Sequence, residues 1–361
     1  MRRVLTVLLL GLPIFALTTP PALAHGRGSD STNFASTITA RPDVDGLSWR
    51  VLNGDEYLEL RNDSGAEVTV PGYTGEPYLR VGPDGVFRNL NSTATYLNED
   101  RFGQSVPPTG LDLDAEPDWE QISTGSSYAW HDHRIHWMAQ ADPPAVAANP
   151  GTVQLVNTWT VPIAIGGEMF EVVGDLTWVP GDSPWLWLLP ALVLLTVPIL
   201  VAIRRTEPDR EAFTWTGLSR VAGWIGLVIA LANVVHLIDD LFATPLPLSE
   251  SAVSAIQTLF FIAVAVFGCV KAIQSREGGF TALGVAVGAI FIGQGLLYFS
   301  VLGASQTASL FPGWLTRAII AASVAQIVPL GAATILGTRA LLPDFDEEGL
   351  VDDDLGVAKS A

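Results

Sequence analysis

The sequence predicts a two-part protein, an all-β extracytoplasmic sandwich followed by a five-helix transmembrane bundle. Three observations predict it. A short apolar leader ends in a small-residue cleavage site. The stretch 25–183 breaks into short β-rich runs separated by turn residues. Beyond Ser183, long uncharged runs dominate, and the Arg and Lys residues between them fall on alternate loops.

Residues 1–24 read as a secretory signal. Arg2 and Arg3 form its positive start, Val4 to Leu17 its apolar core, and Pro20-Pro21 the break before the cleavage triplet Ala22-Leu23-Ala24. The other reading is an uncleaved anchor, against which the short run and good cleavage site argue. Cleavage makes His25 the first residue of the mature chain.

Residues 26–33 are a polar lead-in, and the strands follow. Leu47 to Leu52 is one and Tyr57 to Arg61 another, closed by the turn Asn62-Asp63-Ser64-Gly65. Glu67 to Val70 and Tyr78 to Val81 come next. The turn Gly82-Pro83-Asp84-Gly85 leads to Val86-Phe87. Residues 98–120 are acidic and Pro-rich and read as a long loop. Strands return at Ser127 to Met138, Thr152 to Ile165 and Met169 to Val179, with Gly166-Gly167 as a hairpin turn between the last two. This spacing fits an antiparallel sandwich of the cupredoxin or immunoglobulin kind. Most aromatics on these strands are expected to fill its core.

The bundle, residues 184–341, starts at Trp185 and Trp187, which suit a membrane interface. Spans are expected over 183–203, Val221 to Ile238, Ser251 to Val270, 278 to about Val301, and Ala318 to Thr338. Arg204, Arg205, Arg210, Lys271, Arg276 and Arg339 follow spans one, three and five. Loops after spans two and four carry no Arg or Lys apart from Arg317 at a helix start, and the loop from Asp239 to Glu250 carries acids only. The positive-inside rule then predicts a multi-pass cell-membrane protein with its β domain outside and its C-terminus in the cytoplasm. Residues 342–361 form an acidic cytoplasmic tail, expected to be disordered.

Charge excludes one class of partner. The net charge is −18, and residues 25–183 hold 23 Asp and Glu against 8 Arg and no Lys. Nucleic acid needs clustered cations, so it is not expected as a partner; an acidic domain concentrates metal ions instead. Cys269 is the single cysteine, so no disulfide can form within the chain, and it is expected to be a small packed residue. The chain holds no GxSxG, HExxH, phosphate-loop or paired zinc-Cys motif, and nothing in it supports hydrolase chemistry.

The chemistry concentrates in Trp130-His131-Asp132-His133-Arg134-Ile135-His136-Trp137, with three of the five histidines. On a strand, side chains two apart share a face about 7 Å apart, so His131 and His133 are expected to converge on one ion. His136 has the opposite parity and joins only if the strand bulges or ends near Ile135. His25, once exposed, offers an amine and an imidazole. Such a nitrogen-rich set suits copper(II), with zinc as the alternative metal. The competing reading makes these histidines hydrogen-bonded fillers, with His133 or His136 held by Asp132 or Asp142.

An N-terminal His joined by a distant His-x-His on a secreted β domain is similar to the copper site of the membrane-bound copper subunit of particulate methane and ammonia monooxygenases. CopC-like copper-resistance proteins also begin the mature chain with His. The resemblance implies that His25, His131 and His133 are copper ligands. This chain departs from it in having one β domain ahead of five helices. The run from Glu76 to Val86 and the stretch from Trp130 to Met138 also resemble uncharacterised membrane proteins of high-GC Gram-positive bacteria, which implies no activity.

Three functions follow as expectations: membrane-anchored copper handling; a structural or sensory envelope protein whose β domain binds another protein and holds no metal; or a component of a copper-dependent oxidase or monooxygenase. In the second span, Asn233, His236 and Asp240 share one helical face. They are read either as a second metal or proton site, or as a helix end emerging into water. Gln257, Gln294 and Gln326 are expected to join helices by hydrogen bonds. The pattern Gly284-x-x-x-Gly288 allows a close helix contact.

Overall fold

The computed structural model describes residues 31–139, 141–244 and 248–341, with side chains 248–250 left out. The signal segment, His25 and the acidic tail lie outside the described residues.

Among the described residues, ten strands form two antiparallel sheets. They are β1 (Phe34–Ala40), β2 (Leu47–Leu52), β3 (Tyr57–Asn62), β4 (Val68–Pro71), β5 (Pro77–Gly82), β6 (Gly85–Asn89), β7 (Trp119–Ser123), β8 (Ser127–Trp130), β9 (Gln154–Ile165) and β10 (Glu168–Trp178). One sheet has the order β1-β10-β9-β4-β5-β6-β7, the other β2-β3-β8. Short helices α1 (Thr93–Leu97) and α2 (Pro144–Ala148) interrupt the loops. The sequence reading passed over β1, β7 and both helices, each of which has only a weak local signal.

Alternation builds the core. In β9, Trp159, Val161 and Ile163 point inward, and in β10 Val172, Leu176 and Trp178 meet them, with Val161 opposite Val172. Leu58 and Leu60 from β3 and Leu79 and Val81 from β5 complete the packing. Each fully buried Leu contributes about 2–3 kcal/mol. Gly166 and Gly167 take φ of 58° and 90°, as the hairpin requires.

The strand expected over 127–138 ends at Trp130. Its only ladder partner, β3, begins at Tyr57, and Leu58 pairs with Trp130. Past that point the neighbouring chain is the β2–β3 hairpin tip, so no ladder remains. Asp132 then turns the chain: its carboxylate accepts from the Arg134 N–H at 3.1 Å, and its carbonyl from the Ile135 N–H at 3.0 Å.

Among the described residues, five helical stretches are long and apolar enough to cross a membrane. They are α3 (Trp185–Arg205); α4 (Thr216–Ala232) continued by α5 (Val234–Phe242); α6 (Leu248–Ile273); α7 (Gly279–Ile290) continued by a π-helical turn (Phe291–Leu296); and α8 (Gly313–Ala325) continued by α9 (Ile327–Ala340). Leu194, Val228, Ile256 and Phe267 face outward, as lipid contact requires. Glycines bring α4 and α6 together. A Cβ on Gly223 would lie 2.9 Å from the Cys269 carbonyl, and one on Gly226 2.7 Å from its sulfur. Cys269 is a buried packing residue, as its surroundings in the sequence suggested.

Two expectations change. The second span runs past Ile238 to Phe242, so Asp239 and Asp240 lie in helix rather than in a loop. The fourth span stops being helical at Leu296, short of Val301, which sits in a separate 3-10 turn (Phe299–Leu302).

The β domain is docked on the bundle. Thr32 and Gln306 exchange backbone hydrogen bonds of 3.2 and 2.9 Å. The Ser305 N–H donates to Asn33 Oδ1 at 2.8 Å, and Asn53 Nδ2 to Thr244 Oγ1 at 3.0 Å.

Asn62 ties the two sheets. From β3 its amide nitrogen reaches the Ala66 carbonyl at 2.8 Å and the Val81 carbonyl of β5 at 2.9 Å, while its oxygen accepts from Ser64. Asn62→Ala is expected to cost about 2–3 kcal/mol, because it leaves buried carbonyls without donors. Chemical denaturation followed by Trp fluorescence measures this, and a loss below about 0.5 kcal/mol would contradict it.

Candidate metal centre

The end of β8 and the turn after it carry His131, His133 and His136. Three segments surround them: the β2–β3 hairpin tip at Asn53–Glu56, the loop 98–105, and the chain from 131 to 138. Asp55, fully buried, joins them. Both its oxygens accept from Arg101, at 2.8 and 2.7 Å. Asp100 shapes the loop by accepting from the N–H groups of Phe102, Gln104 and Ser105.

The imidazoles do not share a strand face. His131 Nδ1 lies 3.1 Å from the Glu56 carbonyl, and its ring packs on Tyr57 with centroids 4.1 Å apart. His133 Nε2 lies 3.0 Å from the Asp100 carbonyl, and its ring stacks on Tyr73. No ring contact links His131 to either other histidine among the described residues. The expected strand geometry is therefore corrected: the ladder ends before His131, so the two-residue period has nothing to act on. The expected carboxylate partners are also corrected. Backbone carbonyls hold the His131 and His133 rings and Met138 Sδ faces His136, while Asp132 is fully buried and pairs with Arg134 at 2.7 Å and with Trp130 Nε1 at 2.9 Å.

His133 and His136 do come together. Their ring centroids are 5.3 Å apart, and His136 Nε2 faces Met138 Sδ at 2.9 Å. Gly103, at φ 61°, closes the space from the loop side. A Cβ there would sit 2.8 Å from His133 Cε1, 3.3 Å from its Nδ1 and 3.6 Å from Met138 Cε. Among the described residues, no group of three or more His, Cys, Asp and Glu is placed to hold an ion. The cluster here is two imidazoles and a thioether.

The hydrogen bonds set the tautomers. A carbonyl only accepts, so neutral His133 carries its proton on Nε2 and leaves a lone pair on Nδ1, the edge facing Gly103. By the same reasoning, neutral His131 keeps its lone pair on Nε2. Metal-binding histidines are commonly fixed in this way through a carbonyl. His136 differs. Among the described residues its buried Nδ1 makes no well-formed hydrogen bond, only a weaker interaction with the Arg101 backbone. With the proton on Nε2, Nδ1 is left uncompensated. With the proton on Nδ1, two lone pairs face each other across 2.9 Å. A cation between nitrogen and sulfur relieves the second arrangement. At ordinary bond lengths of about 2.0 and 2.3 Å it would spread the pair to about 3.5 Å.

Burial keeps the His131 and His136 rings neutral. It pushes His131 down to about 4 and His136 to about 3, with the Arg101 charge adding to the effect in both. Burial also pushes Asp55 up to about 6, against the opposing pull of Arg101. Sequence reasoning missed Met138, Gly103 and the Asp100–Arg101 turn. The spacing His136-x-Met138 was the one available signal, in a chain with three Met.

No protein-family model, curated protein or solved structure matches this chain.

The depressed histidines make stability fall with acid. Between pH 6.5 and about 4 the unfolded chain binds protons that folded His131 and His136 refuse, so folding weakens as pH drops. By pH 5 each costs about 2 kcal/mol, and Asp55, protonated earlier in the fold, returns about 1. These three groups are expected to give a net loss of about 2–3 kcal/mol from pH 7 to 5, cut to about 1 kcal/mol by His131→Gln. Denaturation curves at the two pH values check this; equal pH dependence in both proteins would refute it.

Proposed function

We propose that this chain is a membrane-anchored, extracytoplasmic copper-binding protein that serves copper acquisition, delivery or tolerance. The observation that carries the reading is the His136–Met138 pair, a neutral imidazole and a thioether face to face, with the His133 Nδ1 edge beside them. Thioether and imidazole together favour copper(I) over zinc, a preference set by ligand softness. Asp55 pairs with Arg101 and so offsets a positive charge that His131 and His136 both feel.

His25 and His131 stand further out in this reading. His25 would add an amine and an imidazole if the leader is removed, which would favour copper(II). His131 keeps a lone pair on Nε2 and could join only by a change in its surroundings. The placement outside the membrane rests on the alternation of Arg and Lys between the spans.

A second reading has its own support. Two of the three imidazoles bond backbone carbonyls, and the β domain is docked on the bundle through Thr32, Asn33 and Asn53. Those features suit a structural or sensory envelope protein that binds another protein and no metal. Oxygen-dependent turnover by the copper-loaded protein would instead favour an oxidase or monooxygenase component.

Full-length protein in detergent, titrated with copper(I) against a chelating competitor, tests the proposal. One ion per chain is expected, and His136→Ala with Met138→Leu should abolish its uptake. Gly103→Ala, which drives a methyl into His133, should lower affinity about 10- to 100-fold, as loss of a supporting group does. Equal copper uptake by the wild type and the double variant would leave the structural reading standing.

A further inference from the structure

Three of the five described spans lose regular helical form in one connected layer inside the bundle. Asn233 separates α4 from α5, the π-helical turn carries Gln294, and Gln326 separates α8 from α9. Pro329 accounts for the last break, since it has no N–H to give the Ala325 carbonyl. The layer is joined. Asn233 Nδ2 donates to Ser323 Oγ at 3.0 Å, and Gln326 Nε2 to the Ser323 carbonyl at 3.3 Å. A Cβ on Gly295 would lie 3.2 Å from that same carbonyl. Gln294 Nε2 donates to Thr258 Oγ1 at 3.4 Å, Thr258 to Asp240 Oδ2 at 2.7 Å, and Tyr298 Oη to Asp240 Oδ1 at 2.9 Å. The His236 ring stacks on Tyr298, with centroids 4.9 Å apart. His236 and Asn233 are buried, which corrects the expectation of a helix end emerging into water.

Three buried atoms here have no hydrogen-bond partner among the described residues: Asn233 Oδ1, His236 Nε2 and Gln294 Oε1. The amide orientations follow from their other partners. Asn233 must turn its nitrogen to the Ile229 carbonyl, at 2.8 Å. Thr258 gives its proton to Asp240, so it can only accept from the Gln294 nitrogen. Two buried amide oxygens are therefore left with lone pairs and no donor among the described residues. Buried acceptors cost about 1–3 kcal/mol each when unmet, and non-helical backbone at membrane depth is tolerated where it lines a site.

We propose that this layer binds a small monovalent alkali cation. Oxygen donors select a hard ion rather than copper. The charge is matched by the Asp240 carboxylate in the same network. Asp240 supplies a single negative charge, and both its oxygens are already engaged, which disfavours a divalent ion. Elsewhere in the bundle, Ile229, Leu283, Val287 and Leu330 pack an apolar core, so the layer is a binding site and not a path through the membrane. None of its atoms belongs to the His133–His136–Met138 cluster.

Thermal unfolding of the full-length protein in detergent, in sodium, potassium or choline chloride at equal ionic strength, tests this. Melting should rise by a few degrees, saturably, in sodium or potassium relative to choline. Gln294→Leu should lose that rise and melt no lower than wild type in choline, because it removes the unmet oxygen. Gln294→Glu should move half-saturation to lower cation concentration. Equal melting in all three salts would overturn the proposal, leaving internal water as the occupant. So would a rise that survives in Gln294→Leu. If Gln294→Leu does not fold, an unchanged half-saturation in Gln294→Glu overturns it.

Discussion

The arrangement of the β domain around its histidines depends on the ion pair between Asp55 and Arg101. Asp55 sits fully buried at the tip of a hairpin, and Arg101 reaches it from a loop remote in sequence. Taking both charges out of water costs several kcal/mol, which the two hydrogen bonds and their mutual attraction offset. What the pair secures is position. It sets the Glu56 carbonyl against His131, and the Asp100 carbonyl and Gly103 against His133. Breaking it by removing one partner would strand a buried charge and release both loops.

The two halves of the chain solve opposite solvation problems. In the β domain, alternating side chains bury one face of each sheet and leave acids on the other, and polar staples such as Asn62 join the sheets. In the bundle the apolar surface faces outward, and the polar side chains turn inward toward the end where the β domain docks. The loop at 303–310 serves both. Its backbone pairs with Thr32 and Asn33, and through Ser309 and Leu310 it holds the Asp239 carboxylate. The docking surface and the hold on Asp239 are thus built from one short stretch.

Much of the fold was legible because it rests on local periodicity. The period of two in Tyr57 to Arg61 and the glycine pair at 166–167 act within a few residues, and the structure follows them closely. The five spans were legible because an apolar run of that length has few other uses. The candidate site was legible only in part. His133 and His136 were singled out, but the geometry assumed for them was a strand's, and the strand ended where its partner did. Met138 and Gly103 were not found, since neither has meaning until the loop 98–105 is folded against the turn.

By itself, then, the sequence determined the order of a β domain and five apolar spans, and the concentration of histidines in one stretch, because hydrophobic pattern acts along the chain. Only the tertiary structure decided which imidazoles meet, which face carbonyls, and that Asn233, Gln294 and Ser323 share a layer. Those outcomes depend on hydrogen-bond partners brought from distant segments, and a carbonyl such as that of Asp100 is the same in every residue until folding aims it.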